Sequence, residues 1–386
     1  MFSDSHSSTS HSSTRPRMAA RIALVGALAL PWLAVSTAPA QTSFINASLN
    51  NAGQKPRAIV TGNFNGDNNQ DVVVVDSGAS TVAMLPGAAG GVFGPPKNSA
   101  AGSDPKSTAT ADFDRDGKSD LAVVNRGSNK VSLLRGNGDG SFGATTGYTT
   151  AGDGPKAVVA GDFDRDGERD LAVANQLSDS VGVLLGRAGG TFGAAYAYAL
   201  PNSPTSLAKG DFNGDGDPDL AVALMSGKVA VLLGGVGGTF GLPTKYAAGS
   251  TVESVTVDDF NSDSDPDLAL ADPISQNVHV LLGGPGGSFG SATSYPAGRT
   301  PVSLKKGDLN GDGRNDLVVG NRGTAKFSVL LGLADGKFGA LSEHAAGNEV
   351  EDVEVGDVDG DSDPDVMVAG DDGVNGKVSV MLNKRI

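Results

Sequence analysis

The sequence predicts an all-β protein: a seven-bladed β-propeller with four-stranded blades, its last blade closed by the N-terminal strand. Three observations carry this expectation. A unit of roughly 49 residues recurs seven times. Each unit holds short apolar runs bounded by Gly, Asn and Asp, with no sustained helical period. The seventh unit lacks its final run, and a matching run stands at the start of the mature chain.

The repeat is read from an acidic turn whose last Asp falls at Asp71, Asp120, Asp170, Asp219, Asp267, Asp316 and Asp365. The steps are 49, 50, 49, 48, 49 and 49 residues, even enough to assign 41–386 to one propeller. In the unit Ser203 to Gly249, Thr205 to Lys209 reads as a first strand. An acidic turn from Asp211 to Asp219 leads to a second strand, Leu220 to Ala223. Val229 to Leu233 is a third, and Phe240-Gly241 is expected to open a fourth that runs to Ala248-Gly249. Four strands per unit in seven units is a propeller pattern.

Closure follows from an offset. Phe-Gly recurs at Phe93, Phe142, Phe192, Phe240, Phe289 and Phe338, and is missing from the seventh unit, which ends after its third strand. Phe44 carries the same downstream spacing to Ala52-Gly53 and Pro56 that Phe93 has to Ala101 and Pro105. The first mature residues are therefore expected to complete the last blade from outside, which removes a free sheet edge.

Residues 1–40 read as a signal peptide. Arg15, Arg17 and Arg21 flank an apolar run from Ile22 to Leu33, and Ala38-Pro39-Ala40 supplies an A-x-A cleavage site. The long Ser/His-rich start also allows translation from Met18. The mature chain is expected to be secreted, periplasmic or at a cell surface, with no membrane span after cleavage. A net charge of -15 argues against nucleic acid, whose phosphates call for a basic surface. The absence of Cys excludes disulfides and thiolate metal sites.

The acidic turns carry the chemistry. Each reads [D/N]-x-[D/N]-x-D-x-x-x-D, with an oxygen side chain at positions 1, 3, 5 and 9. The candidate metal ligands are Asn63, Asn65, Asp67 and Asp71 in the first turn and Asp112, Asp114, Asp116 and Asp120 in the second. The third and fourth supply Asp162, Asp164, Asp166, Asp170, Asp211, Asn213, Asp215 and Asp219. The fifth and sixth supply Asp259, Asn261, Asp263, Asp267, Asp308, Asn310, Asp312 and Asp316. The seventh supplies Asp357, Asp359, Asp361 and Asp365. Of the chain's 44 acidic residues, 23 are Asp at these positions, so the acidity is concentrated. Carboxylates this close repel one another without a counter-charge. A hard divalent cation takes six to eight oxygens, which makes Ca²⁺, up to seven and one per blade, the expected cofactor. Mg²⁺ fits less well because it keeps its waters. Asx-turns at hairpins are the plain alternative, and they do not by themselves require seven copies in register. With Asn63 and Asn65, the first turn is expected to bind most weakly. An EF-hand would need Glu at position 12 and a following helix, whereas Val74, Val123, Val173, Val222, Leu270, Val319 and Val368 stand there in strand-like runs.

With its Phe-Gly strand and D-x-[D/N]-x-D-x-x-x-D turn, the chain resembles the FG-GAP/VCBS repeat family, which includes the propellers of integrin α subunits. The resemblance covers about 41–386. It implies that the turn joins the first two strands of each blade and binds Ca²⁺ on one face through positions 1, 3, 5 and 9.

Fold does not fix function. The favoured reading is a monomeric binding or adhesion module for a surface protein or a glycan, with recognition loops on the face opposite the acidic turns. The candidate loops are Arg126 to Asn129, Gln176 to Asp179, and Arg322 to Thr324. Tyr148, Tyr198, Tyr246 and Tyr295 recur six residues after a Phe, and are read as inter-blade packing in preference to a sugar platform. The sole Trp, Trp32, lies in the leader. An enzyme, polysaccharide-active for example, is the runner-up. The mature chain has only His279 and His344, neither in a recognisable triad or zinc spacing. A purely structural scaffold is the third reading.

Overall fold

A computed structural model describes residues 42–347, 349–371 and 375–384. The leader assigned to 1–40 lies outside the described residues. Seven four-stranded antiparallel sheets are present, one per repeat. In blade 4 the strands Pro204–Gly210, Asp219–Leu224, Lys228–Leu232 and Thr244–Ala247 pair in that order. The first strands contact one another in an unbroken ring, blade 1 to blade 7 and back to blade 1, so they line the central axis.

The second strands show why these runs are apolar without alternation. Every residue of Asp219–Leu224 is buried, as it is in the second strands of blades 1, 2, 3, 5 and 6. Each sheet is covered on both faces by neighbouring blades, so both pleat faces need apolar side chains. The hydrophobic core accordingly divides into seven clusters, each shared by two consecutive blades. One of them joins Val380 and Met367 of blade 7 to Ile59 and Val74 of blade 1, which closes the circle.

The N-terminal strand closes the seventh blade. Phe44–Gly53 runs antiparallel to Gly376–Asn383, with Phe44 opposite Asn383 and Gly53 opposite Gly376. It is the outermost strand of a sheet completed by Asp365–Asp371 and Glu349–Gly356.

One expectation is corrected. Phe-Gly does not open the outer strand. In blade 4, Phe240 pairs with Gly234 in a separate two-residue ribbon, and the outer strand starts only at Thr244. Equivalent pairings occur at Phe93, Phe142, Phe192, Phe289 and Phe338. The ribbon turns the aromatic ring inward, where it meets the residue at position 2 of the preceding blade's acidic turn. Phe64 packs on Phe142, Phe113 on Phe192, Phe163 on Phe240, Phe212 on Phe289 and Phe260 on Phe338. All five are edge-to-face, with centroids 5.3–5.8 Å apart, a favourable aromatic geometry.

The recurring Tyr residues join the same contacts. Tyr148, Tyr198, Tyr246 and Tyr295 each pack edge-to-face on the Phe of the next blade. His344 does so against Phe44 at the closure. These rings are inter-blade packing, as their spacing in the sequence suggests. Among the described residues, no helix is long and apolar enough to cross a membrane.

Candidate metal centres

Each acidic turn links the first and second strands of its blade, so all seven stand at the same end of the propeller. Positions 4 and 6 of every turn have left-handed backbone, which reverses the chain twice within nine residues. Gly supplies this at Gly214 and Gly216, whereas Ser262 and Ser264 adopt it in blade 5.

This path points side chains at positions 1, 3 and 5 into the turn. In blade 4, Asp211 accepts from the backbone N–H of Gly214 and of Gly216, at 2.8 and 2.9 Å. Asn213 accepts from Asp215 N–H at 3.0 Å, and Asp215 from Asp217 N–H at 2.8 Å. These side-chain oxygens shape the turn, which is Asx-turn chemistry.

The ninth-position Asp differs. All seven are fully buried. In each, Oδ2 accepts the N–H of position 2, from Phe163 to Asp170 at 2.6 Å and from Phe212 to Asp219 at 2.7 Å. Oδ1 accepts a backbone N–H from beyond the third strand, such as Gly186 to Asp170 or Gly234 to Asp219, both 2.6 Å. In blade 7, Asn383 takes that place at 2.8 Å. The residue therefore ties the acidic turn to the segment that follows the third strand. Sequence spacing predicts a ligand here and misses this second task, whose partner lies 15–18 residues away. Burial pushes the carboxyls of Asp71, Asp120 and Asp219 upward. It lifts Asp170, Asp267, Asp316 and Asp365 to about 6. Backbone hydrogen bonds oppose these shifts only in part.

The donor set fits a hard cation. In the three turns with Asp at all four positions, three carboxylates come within 4.8 Å of one another: Asp112, Asp114 and Asp120; Asp162, Asp164 and Asp170; Asp357, Asp359 and Asp361. Buried Oδ1 of Asp162 has no hydrogen-bond partner among the described residues. Where position 3 is Asn, its amide donates to the Asp at position 5, at 2.8 Å in both Asn213–Asp215 and Asn261–Asp263. In the first turn Asn65 reaches both Asp67 and Asp71, partly replacing a counter-charge. In the seventh, Lys384 Nζ lies 2.7 Å from Asp359 and 2.8 Å from Asp361. Neighbouring turns are also linked, Arg115 to Glu168 and Arg165 to Asp217, each at 3.3 Å.

A second constellation is not legible in the sequence. His279 lies 2.9 Å from Ser294 Oγ through Nδ1 and 3.4 Å from Asp272 through Nε2. A hydrogen-bonded line of Ser, His and Asp is the outline of a nucleophilic triad. The same places in other blades hold a structural pair, Asn125 with Ser132 at 2.9 Å and Asn321 with Ser328 at 2.7 Å. Asp272 itself caps the adjoining turn, accepting from Ser250, Ile274 and Ser275 backbone N–H. His279 is the blade-5 version of that turn-bracing pair, so its pairing is explained by the repeat.

Comparison with known proteins follows the same repeat. FG-GAP-like repeats match residues 63–123, 112–173, 162–222, 211–270, 259–319 and 308–368. Each match runs from the head of one acidic turn to the second strand of the next blade. The chain belongs to the FG-GAP-like repeat family. No curated protein matches it. Among solved structures, this FG-GAP propeller is similar to BBS1N in complex with ARL6DN, soaked with mercury, at TM-score 0.63 and 12% identity. That match covers 89% of this chain and 98% of the other. The lead-soaked form of the same complex gives TM-score 0.61 and 14% identity, over 88% and 96% of the two chains. A protein from Lactobacillus plantarum gives 0.54 and 16% identity, over 86% and 96%. At these identities the likeness is one of fold.

Proposed function

We propose that the mature chain is a secreted, Ca²⁺-loaded, monomeric propeller that acts as a non-enzymatic binding or adhesion module for a surface protein or glycan. The observation that carries the Ca²⁺ reading is the convergence of three carboxylates within 4.8 Å in turns 2, 3 and 7. The ligands would be the oxygens at positions 1, 3, 5 and 9. Bound there, Ca²⁺ would neutralise the turn and fix its path. The chain's own residues hold the rest: ninth-position Asp clamps each turn, and the packed Phe rings hold adjacent blades in register. A rigid disc with loops at both ends suits recognition. The BBS1N structure, similar in fold, is of a protein complex.

Chelation should lower the melting temperature of the mature protein, and added Ca²⁺ should restore it, because an ion bound only by the folded state stabilises it by mass action. An unchanged melting curve would sink the Ca²⁺ assignment. The non-enzymatic reading predicts that a fluorophosphonate probe leaves Ser294 unlabelled, with covalent modification there as the contrary result. Specific, Ca²⁺-dependent capture of one surface protein or glycan would separate a binding module from a bare scaffold.

A further inference from the structure

The end of the propeller away from the acidic turns carries a local excess of cations around its axis. There the starts of all seven first strands surround a cavity of about 400 Å³ at the mouth of the central channel. Five cations face it, Arg57, Lys106, Arg126, Lys156 and Arg322, against three carboxylates, Glu253, Glu351 and Asp352. In a chain of net charge -15 this is a local excess of positive charge, and it follows from the segregation of 23 Asp to the other end.

The pairings leave cationic capacity unused. Lys156 reaches Glu253 at 2.6 Å, and Lys106 reaches Asp104 at 2.7 Å on the rim. Glu351 must serve two guanidinium groups through one oxygen, Arg57 at 2.9 Å and Arg322 at 2.8 Å. Buried Nε of Arg322 has no acceptor among the described residues. Asp352 is occupied by Ser303 Oγ at 2.5 Å and Ile59 N–H at 3.0 Å. Arg126 is exposed at the mouth, and its side chain has no partner among the described residues. An arc from Arg322 through Arg57 to Lys106 and Arg126 therefore presents more donors than it has acceptors. Guanidinium forks bind carboxylates in a bidentate manner, and a low-dielectric cleft strengthens such contacts.

We propose that this channel mouth binds a carboxylate of an acidic peptide segment of a partner protein. The inference rests on the binding-module reading and names the chemistry of its partner. A peptide is favoured over an acidic sugar because none of the lining residues is aromatic, so a pyranose would find no stacking surface. The volume is at the small end for ligand sites and suits one or two side chains of an extended segment. Arg126 and Lys106, both from blade 2, make the decisive contacts, and Arg57 orients the arc through Glu351.

Fluorescence polarisation of labelled hexaglutamate against the Ca²⁺-loaded mature protein tests this, with tetragalacturonate as competitor. Binding should weaken with salt. It should fall about tenfold or more in Arg126→Glu with Lys106→Glu. It should be unchanged in Lys245→Glu, an exposed charge on the outer strand of blade 4, all three proteins melting alike. Binding that survives the double substitution, or displacement by tetragalacturonate as efficient as by unlabelled hexaglutamate, overturns the proposal. Single-substitution Arg126→Glu, which alters an exposed side chain, repeats the test if the double variant melts early. A partner captured equally by wild type and Arg126→Glu would overturn this site while leaving the binding-module reading intact. Failure of the wild type to bind the peptide would remove this site, and failure to capture any partner would remove both.

Discussion

Two Asp residues in the same turn illustrate how different the jobs of apparently equivalent carboxylates are. Asp166 is exposed and, among the described residues, shapes only its own turn, accepting Glu168 N–H at 2.7 Å. Asp170 is fully buried and holds two backbone N–H groups from separate segments. Asp166→Ala should therefore leave the metal-free melting temperature near wild type while removing one Ca²⁺ site of seven from a titration. Asp170→Ala should destabilise even the metal-free protein, by about 2–5 kcal/mol, because both donors lose a buried acceptor. Equal effects of the two substitutions on chelated protein, measured by denaturant unfolding, would refute the division of labour. Sequence periodicity identifies both positions as oxygen donors. It carries no sign that one faces backbone amides, because those amides are distant in sequence.

At the level of elements, the outer strand of blade 7 is the one part of the ring not supplied in sequence order. Its Phe44 packs edge-to-face on Phe327 and His344, the part played elsewhere by the Phe of each Phe-Gly ribbon. Ser43 and Lys384 are also joined twice. Lys384 N–H donates to the Ser43 carbonyl at 2.8 Å, and Ser43 Oγ donates to the Lys384 carbonyl at 2.7 Å. A chain beginning at Gln54 would expose Gly376–Asn383 as a free edge and uncover Phe327. Such a chain should melt earlier and self-associate, since an unpaired strand templates pairing with another chain. Adding residues 42–53 as a separate peptide should reverse both effects. Sedimentation and thermal melts, with and without the peptide, are the measurement, and a truncated chain that stays monomeric with wild-type melting would contradict the role given to this strand. The offset from Phe44 to Pro56 is enough to disclose this closure, because it repeats the spacing from Phe93 to Pro105. The Phe-Gly ribbon has no such signature, because a two-residue pairing leaves no periodic trace.

Across the whole molecule, seven buried carboxyls make stability depend on pH. All the ninth-position Asp have raised pKa values, four of them at about 6, with burial as the leading cause. An unfolded Asp titrates at about 3.9. Between those values the folded, metal-free chain retains protons that the unfolded chain has released. The stability linked to them is present below about 3.9 and is lost as pH rises through about 6. His344, whose pKa burial lowers, acts in the opposite sense over this range, while Asp67, Asp116, Asp139, Asp272 and Asp361, held below the usual carboxylate value, give up their contribution only at more acidic pH. Chelated protein should therefore melt at lower temperature at pH 7 than at pH 4.5. Ca²⁺ should help most at pH 7, because the ion needs the ionised carboxylate. Melts across this range with and without Ca²⁺ would show it, and a chelated protein more stable at pH 7 would refute the assignment.

The sequence by itself determined the number of blades, their strand order, the strand-to-strand placement of the acidic turns and the return of the N-terminus to the last blade. These are legible because a repeat states the same local physics seven times: left-handed turn positions, alternating oxygen donors, and apolar runs long enough for one strand. Tertiary structure alone decided what depends on contacts between copies. It turned Phe240 inward onto Phe163 and made the ninth-position Asp a clip between distant segments. It brought His279 to Ser294 and Asp272 as a brace in place of a Ser–Asn pair. It also gathered Arg57, Arg126 and Arg322 from three blades around one opening. Residues some 70 to 265 positions apart share no local pattern, and only the closing of the ring puts their charges on the same few hundred cubic ångströms.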